Sequence, residues 1–488
     1  MLKFRFLSLV FMLMCILSCT EEDSEVILVT TEEVLFASGD EIRLLGRVIS
    51  NQELSLVDHG FYVSEDASFS SPAIVSLGEK DGPGRFIGQL TGLRVGRPYF
   101  AKAFMDRGAE IEFGNVLELS TLEPAIIDFS PKFGAVGEEI LIEGRNFGAD
   151  TRVFFGGQEA QVIENTLQSR LRVRVPIPEG NRTVPIRVVV QDREVSLSES
   201  FEYQIGTYEK IGTFPESIRV YDNVFFQDGP NRFFIGLGSE RRLVFLPGFQ
   251  RYDRSSSTWQ EVAFPGASRS FAFSTDHYIG GGLSQLGSNP FVYEGSFWGY
   301  ENGAFTRLPD LPFLSRDAIA FELGEDLYVL GKNPDTTKFF FRFDKSEMRW
   351  ELLPTPEQEF TRNDAVFTYQ GNAYLIDSLD GTIWRYNLNS GAWDSIGTYP
   401  GSLGNGRGMA RVIGDKAFIG LFERSDQVFE LDLNSFSWKP KNPMPGLPQS
   451  VIVGHFVSGE SLYIMRVPDI TLAGQFPMDF YRFDPDGI

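Results

Sequence analysis

Gly391-Ala392-Trp393-Asp394-Ser395-Ile396-Gly397-Thr398-Tyr399-Pro400 is matched almost step for step by Gly206-Thr207-Tyr208-Glu209-Lys210-Ile211-Gly212-Thr213-Phe214-Pro215. Each is a glycine turn, an aromatic that opens a strand, and a proline that ends it. Working outward, the opening aromatic recurs as Tyr208, Trp259, Phe305, Trp350, Trp393 and Trp438, at spacings of 51, 46, 45, 43 and 45 residues. Seven residues before four of these stands an apolar residue followed by Asp or Asn: Tyr252-Asp253, Phe343-Asp344, Tyr386-Asn387 and Leu431-Asp432. The unit opened by Phe305 has a turn two residues shorter, from Tyr300-Glu301. The last such pair, Phe483-Asp484, lies so near Ile488 that its own aromatic would fall past the end. Residues 206–215 are the piece it lacks.

Each unit thus reads as a strand ending at the apolar-Asp pair, a polar turn and an aromatic-led strand. A Pro-containing connection follows, then two further strands, clearest at 318–321 and 327–330. Four strands in about 45 residues is the arithmetic of a propeller blade. The motif resembles the kelch repeat over residues 206–488. Only Ile279-Gly280-Gly281-Gly282 keeps the Gly-Gly pair of that family, while Leu330-Gly331 and Ile419-Gly420 keep one glycine and Leu375-Ile376 none. The resemblance implies six blades, the last completed by the first strand, which pairs two sheet edges that would otherwise be bare. Five blades or seven are the alternatives.

The 488 residues suggest about three domains. Aromatics number 67 and Gly plus Pro 75, a mixture that suits short strands and tight turns. A net charge of −22 argues against a general nucleic-acid binder, whose footprint is basic. Both cysteines, Cys15 and Cys19, lie in the first 20 residues, so no disulfide framework, metal–thiolate site or cysteine nucleophile is expected downstream. With His59, His277 and His455 the only histidines, neither a metal site nor a cofactor is implied.

Lys3 and Arg5 precede an apolar run, Phe6 to Leu17, too short for a comfortable membrane span. Residues 1–18 read as a signal peptide. Ile16-Leu17-Ser18-Cys19 resembles the lipobox of bacterial lipoproteins, which implies an acylated Cys19 as membrane anchor. An ordinary secretory leader is the alternative. Residues 19–26 form an acidic tether, and Thr20 to Glu25 is similar to the export tag of Bacteroidetes surface lipoproteins. That implies display on the outer membrane, with a periplasm-facing position still open.

Residues 27–122 alternate apolar and polar positions in short runs, the pattern of antiparallel strands. Leu93 to Tyr99, followed by Ala101, Ala103 and Met105, has the shape of a sandwich corner in which a buried Tyr hydroxyl bonds back to the upstream backbone. With Gly60 to Ser64, Phe86 and Phe113-Gly114-Asn115, this stretch resembles a fibronectin type III-like module. Over residues 124–203, Phe129-Ser130-Pro131, the pair Ile140 and Ile142, Gly144, Asn146-Phe147 and Val153-Phe154-Phe155-Gly156-Gly157 resemble the IPT/TIG immunoglobulin-like domain. Leu171, Val173 and Val175 add an alternating strand. Such modules act as spacers or bind partners. The expected fold is therefore all-β: two immunoglobulin-like sandwiches followed by a six-bladed kelch-like propeller.

The chain lacks a G-x-S-x-G elbow with a usable histidine, a phosphate loop and H-E-x-x-H. Kelch propellers include a copper oxidase that needs a cysteine and several histidines, which these residues exclude. Asp377 with Asp380, and Asp484 with Asp486, read as turn formers rather than calcium ligands. The pattern singled out is arginine. Arg219, Arg269, Arg316, Arg362 and Arg407 each follow the opening aromatic by 10 to 14 residues, where the innermost strand of each blade should begin. Converging on one channel, they would hold a carboxylate or sulfate by paired hydrogen bonds. The plainer reading is that they bond neighbouring carbonyls as structural filler. Phe291, Tyr293, Phe297, Trp298 and Tyr300 offer a competing sugar-stacking surface, or are packed between blades.

The function expected from these residues is non-catalytic binding of a glycan or protein ligand by a lipid-anchored protein. Two alternatives stand. The kelch resemblance also implies a sugar-acid epimerase-like enzyme, and a purely structural adhesin needs no site at all.

Overall fold

The computed structural model describes residues 25–215, 222–239, 244–286, 289–404, 406–447, 449–468 and 478–488. The leader, Cys19 and Arg219 lie outside the described residues. Everything described is strand, turn or irregular chain, with no helix. The chain divides into two compact units, residues 1–203 and 204–488.

The first unit holds two sandwiches. One packs a three-stranded sheet (Ile27–Ala37, Glu41–Ser50, Gly84–Thr91) on a four-stranded sheet (Ala73–Ser76, Asp58–Ser64, Pro98–Asp106, Ile111–Ser120). Alternation along these strands turns Ile42, Leu44, Phe61, Val63, Ala101 and Ala103 into one dry core. At its corner the Tyr99 hydroxyl accepts a hydrogen bond from the Arg94 backbone N–H at 2.9 Å. The other sandwich is a single path of eight hydrogen-bonded strands that begins at Ala125–Ser130 and ends with Phe133–Gly134 parallel to Arg193–Tyr203. Ile140, Ile142, Leu171, Val173 and Val175 are buried on its inner face. Gln191 ties the two sandwiches together, accepting from Val95 N at 3.0 Å and donating to Leu93 O at 3.1 Å.

Among its described residues, the second unit contains six four-stranded antiparallel sheets. The first runs from Val224–Asp228 through Arg232–Gly236 and Gly248–Asp253 to Thr258–Ala263. The sixth has Ser450–Ser458, Ser461–Pro468 and Asp479–Asp484, with Thr207–Thr213 as its fourth strand. The sequence period has a direct structural cause. In all six sheets the apolar residue of the third strand stands opposite the aromatic of the fourth: Tyr252 with Trp259, Tyr300 with Phe305, Phe343 with Trp350, Tyr386 with Trp393, Leu431 with Trp438, and Phe483 with Tyr208. Tyr208 and Phe483 stack at 4.4 Å, so the two ends of the unit meet through an aromatic pair as well as a strand ladder. Gly391, at φ +66°, supplies the left-handed turn before Trp393, where a side chain would be strained.

Six apolar clusters separate the sheets, each built from two successive sheets, and the cluster between sixth and first (Phe233, Ile235, Val451, Met465, Phe480) returns to the start. The first strands likewise neighbour one another in order, the sixth beside the first. The second sheet carries an addition: Leu283–Leu286 and Asn289–Tyr293 form a hairpin between its second and third strands and pair with Arg269–Ser270. Of the aromatics in that stretch, Phe297 and Tyr300 are buried between sheets, and Phe291 is exposed.

Candidate functional site

The six first strands surround a cavity of about 450 Å³, and every sheet contributes to its wall. Part of the wall is aromatic, aliphatic or neutral polar, with Phe225 and Gln227, Phe321, Val366 and Val457 drawn from four of the sheets. Its distinctive feature is charge withdrawn from water.

Of the five arginines marked in the sequence, Arg362 and Arg407 line this cavity. Arg362 as a whole is half-buried, but both terminal nitrogens of its guanidinium are shielded from solvent and have no hydrogen-bond partner among the described residues. The group lies 4.8 Å from the centre of the Phe271 ring. Burial pulls its pKa down to about 10, opposed by the charges of Asp222 and Asp317, so it stays cationic at neutral pH. Arg407 donates one bond to Asn223 O at 3.0 Å, and its Nη1 has no partner among the described residues. Burial first, and the neighbouring Arg362 charge second, hold its pKa well below the ordinary arginine range.

Arg269 and Arg316 are elsewhere. Arg269 is fully buried, and its guanidinium donates to Ala267 O at 3.1 Å, Gly281 O at 3.3 Å, Ser296 O at 3.1 Å and Ser296 Oγ at 2.5 Å, with Glu294 at 3.5 Å. These bonds pin the added hairpin to its sheet, which is the filler role. Arg316 is exposed beside Asp317 at 3.8 Å. Arg269 belongs to the short strand that pairs with the added hairpin, and Arg316 lies in the loop before Ile319–Leu323, so neither side chain joins the cavity wall.

The cavity also holds groups that the sequence reading did not single out. Arg411, four residues after Arg407, donates Nε–H to His455 Nδ1 at 2.8 Å and Nη2–H to His455 O at 2.8 Å. Burial, followed by the Arg411 and Arg407 charges, drives the His455 pKa far down, so the ring is neutral with its proton on Nε2. Arg407 precedes the strand Met409–Ile413 that carries Arg411, so strand alternation does not link the two. Nothing in the sequence pairs Arg411 with a histidine 44 residues away.

Carboxylates complete the wall. Asp364 accepts from Thr361 N at 2.7 Å and Ser378 N at 2.9 Å, and burial pushes its pKa up to about 6. Asp276 accepts from Gln227 N at 3.1 Å, and burial raises its pKa against the pull of Arg411. Burial would also raise Glu322, but the bonds from His277 oppose it and the carboxyl is held below its usual range. His277 Nδ1 lies 2.7 Å from Glu322 Oε2, and that bond raises the histidine pKa. Among the described residues, no cluster of three or more His, Cys, Asp or Glu could hold a metal ion. What the arrangement can do is hold an anion against desolvated guanidinium groups while carboxylates and amides take up hydroxyl or amine donors.

Among solved structures, the chain is similar to a protein of unknown function from Bacteroides thetaiotaomicron, at 15% identity over 74% of this chain and 98% of that one, with a TM-score of 0.41. It is similar to an auxiliary nutrient binding protein from the same organism at 14% identity, over 74% of this chain and 98% of that one, with a TM-score of 0.38. A second auxiliary nutrient binding protein, from Bacteroides ovatus, matches at 15% identity over 74% of this chain and 81% of that one, with a TM-score of 0.24. No curated protein matches the chain. Residues 124–203 match the model of the IPT/TIG domain, which identifies the second sandwich as an IPT/TIG domain.

Proposed function

We propose that this is a surface lipoprotein whose second unit binds the acidic end of a glycan without transforming it. In this reading residues 1–18 are removed, Cys19 carries the lipid, residues 19–26 are the tether, and the outer membrane is the site of display. Residues 27–122 are a fibronectin type III-like spacer preceding the IPT/TIG domain. Residues 206–488 are a six-bladed kelch-like propeller, a reading supported by six sheets whose first strands and apolar clusters follow one another back to the start.

One observation carries the binding role: the Arg362 guanidinium, set against the cavity with both terminal nitrogens shielded from solvent and without a hydrogen-bond partner among the described residues. A buried cation without partners is costly, so its retention points to a ligand that supplies them. A carboxylate spanning Arg362 and Arg407 would do so by charge-assisted bonds strengthened in a water-poor site. Titration calorimetry of the whole chain in detergent tests this. Glucuronic-acid disaccharides are expected to bind, neutral disaccharides not, and Arg362→Ala with Arg407→Ala should weaken binding by at least about tenfold. Equal affinity for neutral sugars would overturn it.

Asp364, held near pH 6, and the His277–Glu322 pair favour a second reading, acid–base chemistry on the same acidic sugar. An NMR time course of the bound sugar separates the two. Turnover that Glu322→Gln abolishes with affinity retained would establish an enzyme.

A further inference from the structure

The space inside the six first strands is floored at one end and open at the other. Arg362 belongs to the segment leading into Ala365–Tyr369 of the fourth sheet, yet its guanidinium meets the Phe271 ring of the second sheet at 4.8 Å. Arg407 leads into Met409–Ile413 of the fifth sheet and donates to Asn223 O, ahead of the first, at 3.0 Å. In each case one sheet stands between the two partners, so both side chains reach inward past it rather than along the wall. Phe271 is held in the left-handed region, at φ +59°, where a bulky side chain is an outlier, and its N–H donates to Asp222 O at 2.9 Å. Main-chain bonds join further leading segments, from Arg362 N to Asp317 O at 3.2 Å and from Gly408 N to Asn363 O at 3.1 Å. Asp222 and Asp317 are not part of the cavity lining.

The far end is built differently. There each first strand turns into the second through two or three residues, as at Gly324-Glu325, Gln370-Gly371 and Gly414-Asp415, too few to fold over the opening. Exposure follows the same axis. Arg407 is 8% exposed, Ala272 6% and Ala318 4%, whereas Thr368 and His277, at the turn end of the lining, are exposed. The five residues Ala365–Tyr369 span about 16 Å, so the cavity is deeper than one sugar ring is long.

We propose that the cavity is a blind cup entered from the turn end, and that it accepts an acidic sugar only where that sugar terminates its chain. This rests on the anion-binding role assigned above to Arg362 and Arg407. An acid within a chain carries a glycosidic bond on both sides, so with its carboxylate on the two guanidiniums both arms would have to leave by one mouth or one of them through the floor. Among the described residues the floor is taken up by Arg362 against Phe271 and by Arg407 bonded to Asn223. A terminal acid needs only the mouth.

Calorimetry on the whole chain in detergent tests this with linear trisaccharides of two glucoses and one glucuronic acid, the acid placed at the non-reducing end, in the middle or at the reducing end. The tighter of the two end isomers should bind at least about tenfold more tightly than the middle isomer. A middle isomer that binds as tightly would overturn the cup and leave the anion-binding role standing. The direction of entry has its own test. Fluorescein maleimide attached at Thr368→Cys, with wild type treated alike to control for Cys15 and Cys19, should weaken the tighter end isomer by at least about tenfold against the unlabelled variant, because the label stands in the mouth. An affinity that the label leaves unchanged would overturn entry from that end. No binding of any isomer by wild type would overturn the anion-binding role and this inference with it.

Discussion

The two units use arginine in opposite ways. In the IPT/TIG domain, Arg172 bonds Glu164 at 2.8 Å, and Arg187 bonds Glu194 at 2.8 Å, both on the outside of a largely apolar interior. In the second unit Arg269, Arg362 and Arg407 are drawn inside, where water no longer screens them. A two-layer sandwich has one interior, and side chains fill it. Six sheets arranged with their first strands together leave an interior that side chains do not fill, and polar groups face it. The same residue type is therefore solubilising in one unit, and in the other either a structural pin or a candidate ligand group, according to whether its donors are met.

Four measurements sharpen or break that contrast. Arg269→Met should be the most damaging, lowering stability by about 3–5 kcal/mol in denaturant unfolding, because Glu294 and several buried acceptors lose their donor. A change near zero would mean the hairpin is held by something else. Next comes pH. The Asp364 pKa is raised from 3.8 to about 6, so its neutral form is favoured in the folded state. Its contribution is complete below pH 4 and is lost as pH rises through 6, a difference of about 3 kcal/mol at most. The unfolding free energy of wild type minus that of Asp364→Asn should therefore fall between pH 4 and 6.5, and a flat difference would contradict the burial argument.

Arg362→Met should move the other way, raising the unfolding free energy by about 1–2 kcal/mol while anion binding is lost, since a buried cation with no hydrogen-bond partner among the described residues is replaced by an apolar chain. Loss of stability would place Arg362 with Arg269 among the structural pins. Smallest of all, Arg172→Gln in the first unit should leave the midpoint where it is, because an exposed pair in high dielectric contributes little.

Much of the strand architecture was legible. The copy of residues 391–400 at 206–215 led to the pairing of Tyr208 with Phe483, and Leu93 to Tyr99 led to the hydroxyl bond from Tyr99 back to Arg94. The arginine pattern was legible only in part. Arg362 and Arg407, at offsets of 12 and 14 residues, line the cavity, while Arg269 and Arg316, at 10 and 11, do not. The inserted hairpin 283–293 takes up Arg269, and its pairing with Arg269–Ser270 has no counterpart in the repeat. Arg411 with His455, and Gln227 with Asp276, join neighbouring sheets across 44 and 49 residues, about one repeat, which sets the sheets that adjoin but not the side chains that bond.

The sequence by itself determined the period, the turns and the partner of each strand, because alternation, glycine turns and aromatic pairs act within one sheet. Only the tertiary structure decided which charges became a site. An arginine in the segment that leads into a first strand meets carbonyl groups, solvent or an enclosed void according to what the adjoining sheets place opposite it, and that depends on how six sheets pack rather than on its own neighbours in the chain.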